Sequence, residues 1–229
     1  MPRELTVYQL GVVGYDEALA AQRALVDRLG RSQADAGELI LLEHPPILTV
    51  GRSGTSANIL VPAQALAAAG VTVRETNRGG DVTYHGPGQI VGYPILPLVH
   101  HGKDVHAYLR RLEGVLMATL GEFGVASERR EGYTGVWTAR GKIASIGVAI
   151  TRWVSWHGFA LNVSPNLEHF KLIHPCGLVG ARIASMQSIL GAAPSRAAVE
   201  EVLLRRFCAE FGFDGMTLLR HLPESGVEG

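Results

Sequence analysis

Between Asp104 and Phe123, apolar residues fall at Val105, Tyr108, Leu109, Leu112, Val115, Leu116, Leu120 and Phe123, one continuous stripe along a helix, with Arg110, Arg111 and Glu113 on its other side. A helix that long and one-sided must lie on an apolar surface, and the sequence around it supplies mostly strands. Strand-like runs occur at Leu5 to Leu10, Glu38 to Leu42, Ile47 to Val50 after the Pro45-Pro46 break, Val71 to Val73, and Phe159 to Val163. Two more, around residues 134–150, are joined by a hairpin turn at Ala139-Arg140-Gly141. Further helices are expected from Tyr15 to Leu29, after Pro62 up to Gly70, and from Pro194-Ser195 to about Phe211, with Cys208 packed beside the apolar face of the last. Residues 78–97 are dense in Gly and Pro, and the first dozen read as a loop; Pro223 to Gly229 reads as a fraying end. The signals mix without strict β-α-β alternation, which predicts an α/β (α+β) fold: a mixed β-sheet with antiparallel pairs, flanked by helices.

The 229 residues suffice for one sizeable core, and 1–229 reads as a single domain, with no repeat, low-complexity tract or linker. Lys plus Arg and Asp plus Glu both number 21, so no global field points to nucleic acid or a membrane surface. No stretch approaches 18 apolar residues without a charge, and the first residues do not read as a signal peptide. Two cysteines in unlike contexts, Cys176 and Cys208, give no disulfide framework, and the expected compartment is the reducing cytoplasm.

Three segments carry candidate chemistry. In Arg78-Gly79-Gly80-Asp81-Val82-Thr83-Tyr84-His85-Gly86-Pro87-Gly88-Gln89, glycines let backbone N–H groups approach a ligand while Arg, Asp, Thr, Tyr and His offer polar groups. Neither the phosphate-binding GxxxxGK[ST] spacing nor a GxGxxG that opens a helix is present. Lys142, in Gly141-Lys142-Ile143-Ala144-Ser145-Ile146-Gly147, begins an apolar strand: it is either an exposed strand-end charge or, pointing inward, a desolvated amine able to favour a nearby thiolate. Cys176, in His174-Pro175-Cys176-Gly177-Leu178, is either a small packed hydrophobe or a nucleophile held between two backbone-restricting residues. The nine histidines are scattered without metal-ligand spacing, so no metal is expected, and His100-His101 reads as a solvated loop.

Taken in order, RGGDVTYHGPGQ, GKIASIG, HGFALNV and HPCG resemble the lipoyl(octanoyl) transferase family over residues 78–178. The resemblance implies a fold related to the biotin and lipoate protein ligases. It also implies an enzyme, without a cofactor, that moves an octanoyl group from acyl carrier protein to a lysine of lipoyl domains, those of the 2-oxoacid dehydrogenase complexes and the glycine cleavage H protein. Carried over by motif, Cys176 is the acyl-thioester nucleophile and Lys142 lowers its pKa. Arg78, Gly79, Gly80, Asp81, Val82, Thr83, Tyr84, His85, Ser145, Ile146, Gly147, Gly158, Phe159 and Ala160 match the substrate-binding segments. Asp81 departs from a common form of the pattern, which has Gln there. Backbone N–H groups near Cys176 to Leu178, with His85, are candidates to stabilise an oxyanion, and Arg140, Arg152, Lys171 or Arg182 to meet an acidic carrier. The competing reading is an ATP-dependent lipoate or biotin ligase, which needs no cysteine.

Overall fold

The computed structural model describes residues 3–32, 35–175, 180 and 182–223, so Cys176, Gly177, Leu178 and nearly all of the expected fraying end lie outside the described residues. In chain order the elements are β1 (Glu4–Val12), α1 (Tyr15–Arg31), β2 (Gly37–Glu43), β3 (Ile47–Val50), α2 (Ala63–Ala68), β4 (Thr72–Glu75), β5 (Val82–His85) and β6 (Gln89–Ile95). There follow α3 (Val105–Glu122), β7 (Glu128–Arg130), β8 (Tyr133–Thr138), β9 (Gly141–Thr151), β10 (Val154–Asn162), α4 (Met186–Leu190), α5 (Arg196–Phe211) and β11 (Gly215–Leu219). Eight strands form a mixed sheet in the order β11-β1-β2-β6-β10-β9-β8-β7, and β4-β3-β5 form a small second sheet. The expected class, a mixed sheet with flanking helices, is the one observed.

Alternation along the strands decides which helix covers which face. Leu39 and Leu41 of β2 join Leu5, Val7, Ile90 and Leu161 beneath α3 and α5. Their neighbours Ile40 and Leu42 join Val91, Tyr93 and Ile95 beneath α1. A strand buried on both faces has no polar side to show, hence the unbroken apolar run Leu39-Ile40-Leu41-Leu42. The stripe read over 104–123 becomes α3, opened by Asp104, whose carboxylate accepts the Ala107 N–H at 3.0 Å. Glu113, expected on its solvent side, is instead fully buried, accepting from Arg110 at 2.7 Å, Arg129 at 3.0 Å and the Gly135 N–H at 3.0 Å.

Two strands arise inside the Gly/Pro-dense segment, and β6 is central to the large sheet. Pro94 is accommodated because β10 pairs with β6 only from Gln89 to Gly92, so at Pro94 the ladder continues on the β2 side alone. The Ser155 hydroxyl fills the gap, donating to Pro94 O at 2.9 Å and accepting from Leu96 N at 3.0 Å. The hairpin at Ala139-Arg140 is present, and a second, between β9 and β10, turns on Arg152 and Trp153, both with positive φ. Nor is His101 solvated: it packs on Phe211 between Arg3 and Arg111. Cys208 is partly buried against the core, which pushes its thiol pKa up.

Candidate active site

β5 has one face toward a cavity and the other toward a core. Val82 and Tyr84 pack with Leu48, Phe170 and Ile173 in the small-sheet cluster, and the Tyr84 hydroxyl meets His169 Nδ1 at 2.8 Å. Thr83 and His85, one residue out of phase, line the cavity. So do Arg78, Gly80, Asp81, Ser145, Ile146, Gly147, Gly158, Phe159 and Ala160, around a space of about 470 Å³ with its open mouth included. Of the substrate segments read from the sequence, Val82 and Tyr84 therefore face away, and Gly79 acts through its backbone, donating to Val148 O at 2.8 Å.

Glycines let these segments meet. A Cβ on Gly147 would lie 2.7 Å from Gly79 O, so the Arg78–Gly80 turn can rest directly on β9 only because position 147 is bare. A Cβ on Gly158 would come within 2.1 Å of Gly92 O, where β10 crosses β6 on the cavity floor.

Arg78 is 7% exposed and organises the rim from within. Its guanidinium donates to Thr49 Oγ1 at 2.9 and 3.1 Å, Thr49 O at 2.6 Å, Asp81 O at 2.6 Å and Gly79 O at 3.0 Å. The Asp81 carboxylate turns outward, accepting from Val82 N at 2.7 Å, Thr55 N at 3.3 Å and the Asn58 amide at 2.5 Å, and so ties the 55–58 turn to the cavity.

Sequence reading missed Tyr15 and Tyr93 on the cavity wall and His44 behind it, and gave no role to His157, the first residue of HGFALNV, which also lines the cavity. His157 opens the HGFALNV motif and has φ 53°, a backbone conformation unusual for a residue with a Cβ. Its N–H goes to Gln22 Oε1 of α1 at 2.9 Å, and its Nε2 lies 3.0 Å from Asn77 Oδ1. His44 Nδ1 lies 2.7 Å from Val13 O and its Nε2 2.7 Å from the Tyr93 hydroxyl. Burial, the largest cause in each case, lowers the pKa of His44 to about 4, of His157 to about 3, and of His85 well below its ordinary value, with Arg78 adding repulsion on the last two. The imidazoles are therefore neutral at pH 7. Among the described residues no cluster of three or more His, Cys, Asp or Glu could hold a metal ion.

Lys142 points inward: it is 3% exposed, its Nζ 5.4 Å from the centre of the Trp137 ring. It lies against Gly135, where a Cβ would come within 2.7 Å of Lys142 Cε, and Gly135 is the residue whose N–H is held by buried Glu113. The Lys142 N–H donates to Arg182 O at 2.8 Å, and Ala184 N donates to Lys142 O at 2.9 Å. The chain leaving the HPCG motif is thus laid alongside the lysine, and the chain entering it is anchored by His174 N on Asn58 O at 2.8 Å.

Residues 14–208 match the family model for the lipoyl protein ligase A/B catalytic domain. The chain belongs to this family, and it is an acyltransferase. Its relatives include the octanoyltransferase of Geobacter metallireducens, 48% identical over 82% of this chain and 84% of the relative. Another is the octanoyltransferase of Syntrophotalea carbinolica, 47% identical over 89% and 92%. The fold is shared with lipoate-protein ligase A bound with ATP, at a TM-score of 0.75 and 14% identity over 98% of this chain and 91% of that one. It is shared also with an archaeal bipartite lipoate protein ligase from Thermoplasma acidophilum, at 0.71 and 15% over 96% and 89%.

Proposed function

We propose that the chain transfers an octanoyl group from acyl carrier protein to a lysine of lipoyl domains, through a thioester on Cys176. The single observation that carries the reading is the burial of Lys142 beside a backbone clamp that holds the chain leaving the Cys176 loop. An ammonium there favours the thiolate, which attacks the carrier's thioester carbonyl; the bond to the carrier's sulfur breaks, and that sulfur takes the ammonium's proton and leaves as the thiol, with Lys142 remaining as the neutral amine. The acyl-enzyme then waits for the acceptor amine, so the kinetics are ping-pong. In that second step Lys142, as the neutral amine, takes a proton from the attacking nitrogen. The cavity lined by Arg78, His85, Gly147 and Gly158 receives the acyl end, where burial of methylenes at roughly 0.8 kcal/mol each supplies binding.

The lipoyl domains of the 2-oxoacid dehydrogenase complexes and the glycine cleavage H protein are the acceptors in this reading, and the cytoplasm the compartment. No helix among the described residues is long and apolar enough to cross a membrane. The donor docks outside the cavity, where exposed Arg140, Lys171 and Arg182 edge a depression with His174 and Pro175. Arg152, the fourth candidate, pairs with Asp27 of α1 at 2.6 Å and does not line the depression.

The octanoyltransferase relatives favour transfer over ATP-dependent ligation, although the fold is common to both. Octanoyl-carrier without ATP should leave an octanoyl adduct on Cys176, located by intact-mass and peptide mass spectrometry, that disappears on adding a lipoyl domain. Activity only with ATP, or an adduct on another residue, would reverse the reading.

A further inference from the structure

A chain of buried amides runs from the cavity to the extended segment that pairs with Lys142, and its two ends fix its direction. Asn162, 4% exposed at the end of β10, has Nδ2 3.0 Å from Ala184 O. A carbonyl only accepts, so this end of Asn162 is the NH₂ and its Oδ1 faces Gln89 Nε2 at 2.8 Å. Gln89, 2% exposed, brings the same Nε2 to Tyr84 O at 3.2 Å, again a carbonyl. Both hydrogens of the Gln89 amide are thereby spent, and Oε1 is what lies 3.3 Å from His85 Nδ1. An oxygen without a hydrogen requires one on the imidazole, so Nδ1 is the N–H.

The other edge of the ring, Nε2, then carries a bare lone pair, to which no group among the described residues donates. His85 lines the cavity. The neighbouring acceptor of this kind is already used: His44 Nδ1 points at Val13 O, so its Nε2 accepts from the Tyr93 hydroxyl. His85 Nε2 is thus an acceptor open to a ligand in the cavity, and an imidazole in this tautomer cannot donate to an oxyanion. The octanoyl chain has no N–H. The acceptor lysine has two as a neutral amine, the form favoured next to the buried Arg78 cation.

We propose that Gln89 and Asn162 are positioning residues that lock His85 as its Nδ1–H tautomer, and that His85 Nε2 accepts an N–H of the incoming amine. This inference rests on the function proposed above, but its tautomer half does not.

Long-range ¹H–¹⁵N spectra of ¹⁵N-histidine-labelled protein should show His85 with a protonated Nδ1 and an unprotonated Nε2, and Gln89→Met, which removes the acceptor at Nδ1, should shift the ring toward Nε2–H. An Nε2–H tautomer in the wild type overturns the proposal. In half-reactions, His85→Asn should slow discharge of the octanoyl-enzyme to a lipoyl domain by at least about tenfold, the loss of one well-placed hydrogen bond, and slow loading from octanoyl-carrier less. His85→Gln, whose Oε1 reaches to the height of Nε2 and accepts, should recover discharge in part. A wild type that takes no octanoyl group overturns the proposed function and the amine contact with it. A wild type that loads and discharges, while His85→Asn slows both steps equally, overturns the amine contact alone.

Discussion

The cavity and the depression beside the His174–Pro175 segment handle positive charge in opposite ways. In the cavity, one cation, Arg78, is buried and tied to backbone and hydroxyl oxygens, and the histidines around it are held neutral. In the depression, Arg140, Lys171 and Arg182 stand in solvent, Lys171 paired with the equally exposed Glu168. Fixed dipoles and an enclosed charge act at short range and hold geometry, whereas solvated cations attract at a distance and are screened by salt. The first arrangement suits chemistry, the second recognition.

Removing the reacting groups tests the contrast hardest. Cys176→Ser should lower transfer by at least about a thousandfold, since the covalent route is lost. Lys142→Ala should do nearly as much. Lys142→Arg keeps a cation that cannot lose its proton, so in rapid-quench assays across pH it should load from the carrier yet discharge poorly; full activity would end the proton-shuttle idea.

Next in size is Arg78→Met, which strips the donor from the buried Thr49 and Asp81 carbonyls and should cost about 3 kcal/mol in urea unfolding. Were it as mild as an exposed-charge change, the cavity cation would be no organiser.

The neutral histidines set a pH window. Their folded-state pKa values lie below that of an unfolded histidine, so the unfolded chain binds more protons, and stability is fully present above about pH 6.5 and lost as pH falls. Between roughly pH 6 and pH 4, His44 and His157 should each contribute a slope of up to about 1.4 kcal/mol per pH unit. His157→Asn, a residue that tolerates positive φ, should flatten urea-derived stability by one proton's slope over that range.

The smallest effects belong to the depression. Arg140→Glu or Arg182→Glu should raise KM for the acyl carrier several-fold at low ionic strength with kcat unchanged, and 0.5 M salt should erase the difference. The same salt series should leave Arg78→Met unmoved, which separates the two regions directly.

Periodic and capped elements were legible from local sequence. Asp104 and Ser195 open α3 and α5 as N-caps, and the Ala139-Arg140 hairpin lies where its Gly141 marks it. What escaped has a physical cause in each case. β6 carries Gly92 and Pro94, which argue against a central strand until β10 is seen to leave it at that point. The Arg152-Trp153 turn adopts positive φ with neither Gly nor Asn, so it gave no signal. β11 is an exposed edge strand, Met216 and Leu218 at 43% and 45%, in parallel pairing with β1, about 200 residues away in the chain. In the site, the motifs marked most of the cavity lining, but alternation along β5 took Val82 and Tyr84 out of it, and Tyr15 and Tyr93 entered from positions outside the four motifs.

By itself the sequence determined the class of sheet and helices, the order of the four motifs and, through them, the family, because periodicity and ordered motifs are properties of neighbours along the chain. Only the tertiary structure decided that Lys142 turns inward, that the imidazoles stay neutral around Arg78, and that Gln89 and Asn162 face one another across strands. Burial and hydrogen-bond direction depend on which distant residues end up adjacent, and no local pattern records that.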